Sequence, residues 1–206
     1  LAISQGSEDG IKPDGIGFHH RSHYNAYMYS LPALSNTLHH LRGTSFQVDA
    51  VSYQNLRSAF ITMMRMSADG GGTIVGYFGH ALSGRQPFST NLPFSRDDLR
   101  RLGEWGGNID GQAADSVIAR AYNRRFGVND YALFTPYGAE PPADGFHQFN
   151  YSPLGIYRRA NWVASIRAPQ RFFWSTEIYT TENLYGRQQA YGALEILYHG
   201  GITMSG

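Results

Sequence analysis

A Pro- and Gly-rich stretch divides this chain, and no other feature of the sequence narrows the fold as much. Between residues 127 and 145 come Gly127, Pro136, Gly138, Pro141, Pro142 and Gly145. Such residues end regular elements, because proline fixes φ and lacks an N–H while glycine accepts positive φ. Before this stretch, apolar residues recur at helical spacing. After it, they fall in short runs bounded by turns. A chain that reads helix first and strand last is an α+β fold. The reading divides into a helical part at residues 1–135 and an antiparallel sheet part at residues 136–206.

Residues 1–17 read as a polar lead-in loop, with Lys12-Pro13-Asp14-Gly15 as a turn. Leu31, Leu34, Leu38 and Leu41 predict a helix over 32–42, stopped by Gly43, with His39 and His40 meeting the negative end of its dipole. Leu56, Phe60, Met63 and Met64 predict a second helix over 52–67, leaving Arg57 and Arg65 on its other face. Ser95, followed by Asp97 and Asp98, caps a third helix over 95–105. A fourth covers 110–126, with Ala113, Val117, Ala121 and Tyr122 as its apolar positions and Arg120, Arg124 and Arg125 facing water. The Asp69-Gly70-Gly71-Gly72 tract lacks the Lys-Ser/Thr of a phosphate-binding loop and reads as a linker. The apolar run 73–78 after it fits a short strand or a helix start. Strands are predicted at 146–150, 154–158, 162–168, 172–179 and 193–198.

Composition removes some function classes. The formal net charge is +1, so a nucleic-acid binder relying on a broad basic field is disfavoured. Arg far outnumbers Lys, which favours forked recognition of carboxylate or sulfate groups. The absence of cysteine excludes disulfides and thiolate metal sites. No apolar run is long enough to span a bilayer. Leu1 does not read as a natural start, so a mature or trimmed segment is expected.

Three stretches carry chemistry. Residues 19–30, HHRSHYNAYMYS, hold His19, His20, Arg21, His23, Tyr24, Tyr27 and Tyr29. Proton carriers beside a fixed cation suit proton transfer on an anionic substrate, although an aromatic loop with solvated histidines is the bland alternative. Arg85 lies between Gly84 and Pro87, placing it on a turn, either as an anion clamp or as a surface arginine. Glu177 sits in the aromatic run 173–179, sharing a face with Phe173, Ser175 and Tyr179 if that run is a strand. There it is an edge residue or a buried group paired with an arginine or tyrosine. No His/Asp/Glu spacing makes a convincing metal site.

Three segments, in order, resemble the chondroitin sulfate ABC lyases of polysaccharide lyase family 8. They are Asp14-Gly15 with His20 and Tyr27, Gly84-Arg85-Gln86-Pro87-Phe88, and residues 174–179 continuing through Asn183-Leu184-Tyr185-Gly186-Arg187. Gly155-Ile156-Tyr157-Arg158-Arg159 with Trp162 adds support. The resemblance implies a segment of a larger multidomain fold: the C-terminal helices of an (α/α) toroid followed by strands of an antiparallel β-sandwich, with the cleft between them. It implies His20, Tyr27, Arg85 and Glu177 as catalytic residues, and His19, Arg21, Arg159, Asn183 and Arg187 as substrate-binding residues. Spacing alone does not select them, since His20 with Tyr24, His20 with Tyr27 and His23 with Tyr27 would each share a helical face.

The activity implied is β-elimination on glycosaminoglycans such as chondroitin sulfate, dermatan sulfate and hyaluronan, in a secreted or periplasmic protein. Its partner would be the anionic polysaccharide, with no nucleic acid or membrane, and the rest of the lyase chain would be needed to complete the cleft. The chemistry calls for no cofactor, and leaves room for a divalent cation such as Ca²⁺ outside this segment. His19 and Gln86 depart from residues seen in some relatives and leave the sulfation preference open. Competing readings are a non-catalytic anionic-glycan-binding module and a hydrolase with paired carboxylates, for which only Glu177 fits.

Overall fold

The computed structural model describes residues 3–6, 8–19, 22–23, 30–68, 80–81, 90–91, 94–160, 162–168, 194–198 and 201–205. The expected glycine linker at 69–72, the run at 73–78, the Arg85 turn and the strand at 172–179 lie outside the described residues. Within them the architecture is α+β, with helices between residues 30 and 126 and an antiparallel sheet after residue 145.

The lead-in is not simply a loop. β1 (Gly10–Ile11), β2 (Gly17–His19) and β3 (Ser22–His23) form a small antiparallel sheet. Strands this short show no period in sequence. Their turn is anchored at its apex: Lys12 N donates to Ile16 O at 2.8 Å, and Gly15 adopts φ +81°. A side chain at Gly15 would put Cβ 2.5 Å from Thr62 Oγ1 and 2.8 Å from Ser58 O, so the turn can lie on the helix over residues 50–65 only as glycine.

α1 (Ser30–His40) buries Leu31 and Leu38. α2 (Ala50–Arg65) starts earlier than its apolar stripe predicts, because the Asp49 carboxylate accepts from Ser52 N and caps it. α3 (Arg96–Asp110) opens with the expected Ser95 cap, completed by a reciprocal Asp98 bond. It runs past Trp105 through Gly106 and Gly107, which are not breakers here. A Cβ on Gly107 would lie 2.5 Å from Ala114 Cα, so the glycine lets the next segment pack against the helix.

That segment displaces the fourth helix. α4 (Ser116–Phe126) begins six residues later than predicted, at an Asp115 cap whose Oδ1 accepts from Val117 N and Ile118 N. Its buried positions include Ile118, Ala119, Ala121 and Tyr122, whereas Ala113 and Val117 are exposed. Arg120 faces water as expected, but Arg124 and Arg125 are buried. The stretch from Gly127 folds back onto the last turn of α4, where Asn123 Nδ2 donates to Phe134 O at 2.7 Å and to Gly138 O at 2.8 Å. Burial pulls the Arg125 guanidinium down to about 10.

β6 (Gly145–Phe149), β7 (Leu154–Arg159), β8 (Trp162–Arg167), β9 (Leu194–Tyr198) and β10 (Gly201–Ser205) pair antiparallel in that order. The first four match predicted strands closely, while β10 was not anticipated. Phe149, Leu154, Ile156, Val163 and Leu197 point to one face, where Ile16, Met66 and Ala68 from the helical part complete a shared core. Phe146, Tyr157, Ile166 and Tyr198 lie on the other face and are exposed.

Candidate functional site

The junction between helices and sheet is built by hydrogen bonds as well as apolar packing. Asp14, at the hairpin turn, is its hub. Its carbonyl accepts from Thr62 Oγ1 of α2 at 3.0 Å, and its carboxylate accepts from Tyr151 N of the β6–β7 turn at 3.2 Å. Burial raises the Asp14 carboxyl above the ordinary aspartate range, against the opposing pull of the Tyr151 and Ile16 N–H groups and of Lys12. On the far side of the same junction, the fully buried Arg158 of β7 donates to Arg65 O and Ser67 O at the end of α2. One hairpin, one helix and one sheet are thereby fixed together.

The sheet's inner face is also polar. Arg167 Nη2 donates to Glu195 Oε2 at 3.0 Å, both groups being almost fully buried. Burial pushes the Glu195 carboxyl up and the Arg167 guanidinium down, and each offsets the other. The ribbon of β4 (His80–Ala81) and β5 (Thr90–Asn91) lies against this region, with β4 touching β9.

His19 ends β2, half-buried, with Nδ1 2.6 Å from Asp9 Oδ2. Arg159 ends β7, is exposed, and pairs in register with Trp162. These two expected substrate-binding residues sit on different elements, and no contact between them is described. His20, Arg21, Tyr27, Arg85, Glu177, Asn183 and Arg187 lie outside the described residues. Among the described residues no group of three or more His, Asp or Glu could hold a metal, and no helix is long and apolar enough to cross a membrane.

Sequence reasoning passed over Asp9 and gave Arg158 no role. For Asp9 a partial signal existed. The Lys12-Pro13-Asp14-Gly15 turn announces a hairpin, but folding symmetrically about those four residues would set residue 9 against Phe18. The observed register, Gly10 with Phe18 and Ile11 with Gly17, centres on Asp14 and brings residue 9 opposite residue 19. Arg158 carried no such signal, because a buried arginine on a strand reads in sequence as a polar position.

Nearly the whole chain is similar to known lyases. It is 29% identical over 99% of its length to a chondroitin sulfate ABC endolyase of Proteus vulgaris, and 27% identical over 93% to a chondroitin sulfate ABC exolyase of Bacteroides thetaiotaomicron. It spans about a fifth of the length of these curated relatives, 20% and 21%. The structure superposes 97% of the chain on 30% of a Streptomyces coelicolor chondroitin AC lyase, with a TM-score of 0.60 at 17% identity. It also superposes 97% on 21% of a Paenibacillus xanthan lyase, with a TM-score of 0.64 at 13% identity. These likenesses show the helix-then-sheet fold. Residues 1–126, more than half of the chain, match the family described as "Lyase, catalytic", and the chain belongs to that family.

Proposed function

We propose that the protein is a polysaccharide lyase that cleaves uronic-acid-containing glycosaminoglycans by β-elimination. The observation that carries this reading is the similarity of 99% of the chain to a chondroitin sulfate ABC endolyase. The packing of the His19 hairpin at a junction of helix and sheet supports it. The substrate is chondroitin or dermatan sulfate, with hyaluronan as a further candidate, and the protein acts outside the cytoplasm, secreted or periplasmic.

The proposed chemistry starts at C5 of the uronic acid, whose proton is acidified by the adjacent carboxylate. Its removal leaves enolate-like charge that must be neutralised. Tyr27, as tyrosinate, takes the C5 proton. The electron pair forms the C4–C5 double bond, the C4–O bond breaks, and the leaving oxygen takes a proton from the same tyrosine. An ordinary tyrosine has a pKa of about 10, so Arg85 and a protonated histidine serve to lower it. His20 braces the substrate carboxylate, and Glu177 orients Arg85 or the tyrosine. No step calls for a metal ion. Arg21, Arg159, Asn183 and Arg187 hold the anionic chain.

The test is incubation of the full-length protein with chondroitin sulfate, dermatan sulfate and hyaluronan, following the ultraviolet absorbance of the unsaturated uronate. Elimination alone creates that double bond. Tight binding without it would identify an anionic-glycan-binding module, and new reducing ends without it would identify a hydrolase.

A further inference from the structure

We infer that Asp9 is a positioning residue of the glycan cleft, setting the ring of His19 against the substrate. The inference rests on the lyase reading above for the identity of the glycan.

The geometry begins with register. β1 and β2 pair Gly10 with Phe18 and Ile11 with Gly17. The next position outward sets Asp9 against His19, and their side chains close to 2.6 Å between Oδ2 and Nδ1. Such a contact makes Nδ1 the nitrogen that donates to the carboxylate. Nε2 then lies across the ring, facing away from Asp9. A carboxylate that fixes tautomer and ring plane is the usual device for presenting one histidine nitrogen to a ligand.

The arm that carries Asp9 is firmly held. The Lys12 ammonium, fully buried, donates to Ser4 Oγ at 3.0 Å, Gly6 O at 3.1 Å and Glu8 O. It also lies 4.1 Å from the centre of the buried Phe18 ring. Ser4 N donates to Ile11 O at 3.0 Å. Residues flanking Asp9 are therefore pinned on both sides, although Asp9 itself is 47% exposed. His19 directly precedes His20, the proposed catalytic histidine.

Charge sharpens the argument. A carboxylate beside a site for a polyanion repels it, unless that charge is engaged by a neighbour. The two roles predict opposite signs. If Asp9 only adds negative charge, removing it tightens glycan binding. If it orients His19, removing it weakens binding, and only while His19 is present.

The experiment is a double-mutant cycle in the full-length protein: the parent, Asp9→Asn, His19→Ala, and both together. It is read as KM and kcat on chondroitin sulfate, and as Kd for the same glycan by calorimetry. Asp9→Asn should raise KM and Kd about fivefold, the scale of one exposed charged pair, with kcat little changed. In the His19→Ala background it should change neither. Equal effects in both backgrounds, or tighter binding by Asp9→Asn, would overturn the inference. A parent that binds chondroitin sulfate without eliminating it would defeat the lyase reading, while Kd would still decide on Asp9. A parent that does not bind the glycan would overturn both.

Discussion

Arg158 on β7 donates through Nη1 to the carbonyl of Arg65, 2.7 Å away, at the C-terminal end of α2. The same nitrogen donates to Ser67 O. A guanidinium at this position meets the last carbonyl of α2 and one just beyond its end, where the helix dipole is negative. The contact also ties the sheet to the helical layer. Arg158→Met keeps the length of the side chain but removes the donors. Leaving the buried Ser67 carbonyl unpaired costs about 1–3 kcal/mol, and the part-buried Arg65 carbonyl adds less, so the chemical-denaturation midpoint should fall clearly, with Arg158→Lys intermediate. A methionine variant as stable as the parent would show that the clamp contributes nothing.

Helix α3 offers a test of close packing. Gly107→Ala gains about 1 kcal/mol of helix propensity. The new Cβ, however, would stand 2.5 Å from Ala114 Cα and 2.6 Å from Ala114 N, and backbone atoms cannot rotate away. Overpacking of this kind costs about 1–3 kcal/mol, so the net effect should be destabilising. Gly111, where nothing lies within 4 Å of a built Cβ, makes the comparison site. There the penalty for Gly111→Ala comes from its positive φ of +66° alone. Thermal melting of the two variants separates crowding from backbone strain.

Asp14 makes stability depend on pH in a definite direction. Burial raises its carboxyl in the folded state above the ordinary value of 3.8. A group with a raised folded pKa contributes fully below its unfolded value and loses that contribution as pH rises through the folded one. The parent should therefore lose part of its stability from about pH 4 upward on account of Asp14. Asp14→Asn lacks this titration, although it also lacks one of two acceptors, since Oδ1 and Oδ2 receive Ile16 N and Tyr151 N. The absolute change thus mixes two effects, but its slope does not. Variant stability minus parent stability should increase with pH across that window, and a flat difference would dismiss the linkage.

Much of this fold was legible because its local signals agree with its packing. The leucines of α1, the Leu56–Phe60–Met63 stripe of α2 and the Ser95 cap of α3 say the same thing in sequence and in space. The misses have physical causes. The third helix is expected from sequence to end at Trp105, but it continues through Gly106 and Gly107, which allow close approach, a tertiary reason that propensity does not contain. Arg124 and Arg125 read as surface positions by residue type, yet tertiary packing buries both, which the helix's own sequence does not announce. β1 and β2 are too short to show alternation. The site was less legible. Spacing leaves several His–Tyr pairs open, and only the family resemblance selects His20 and Tyr27. The Asp9–His19 pair was only half legible: the turn between them announces a hairpin, but its four residues imply a register one position off the observed one.

The proposed reaction turns on one hydroxyl, which makes Tyr27→Phe the sharpest mechanistic test. Phenylalanine keeps the aromatic ring, so stacking and packing survive. It can neither accept the C5 proton nor return one to the leaving oxygen. General acid–base groups contribute about 10²–10⁴-fold each, and here a single residue serves both steps, so kcat in the full-length protein should fall by at least that range. Glycan affinity should stay close to the parent's. Arg85→Ala should behave differently, weakening affinity as well as turnover, because it removes a positive charge and a forked donor from a site for an anionic sugar. The distinction is read by measuring Kd for chondroitin sulfate alongside single-turnover release of unsaturated product. If Tyr27→Phe still released that product near the parent rate, tyrosine would not be the proton carrier. His20 would then be the base, and its replacement by Ala, rather than that of Tyr27, would abolish the step.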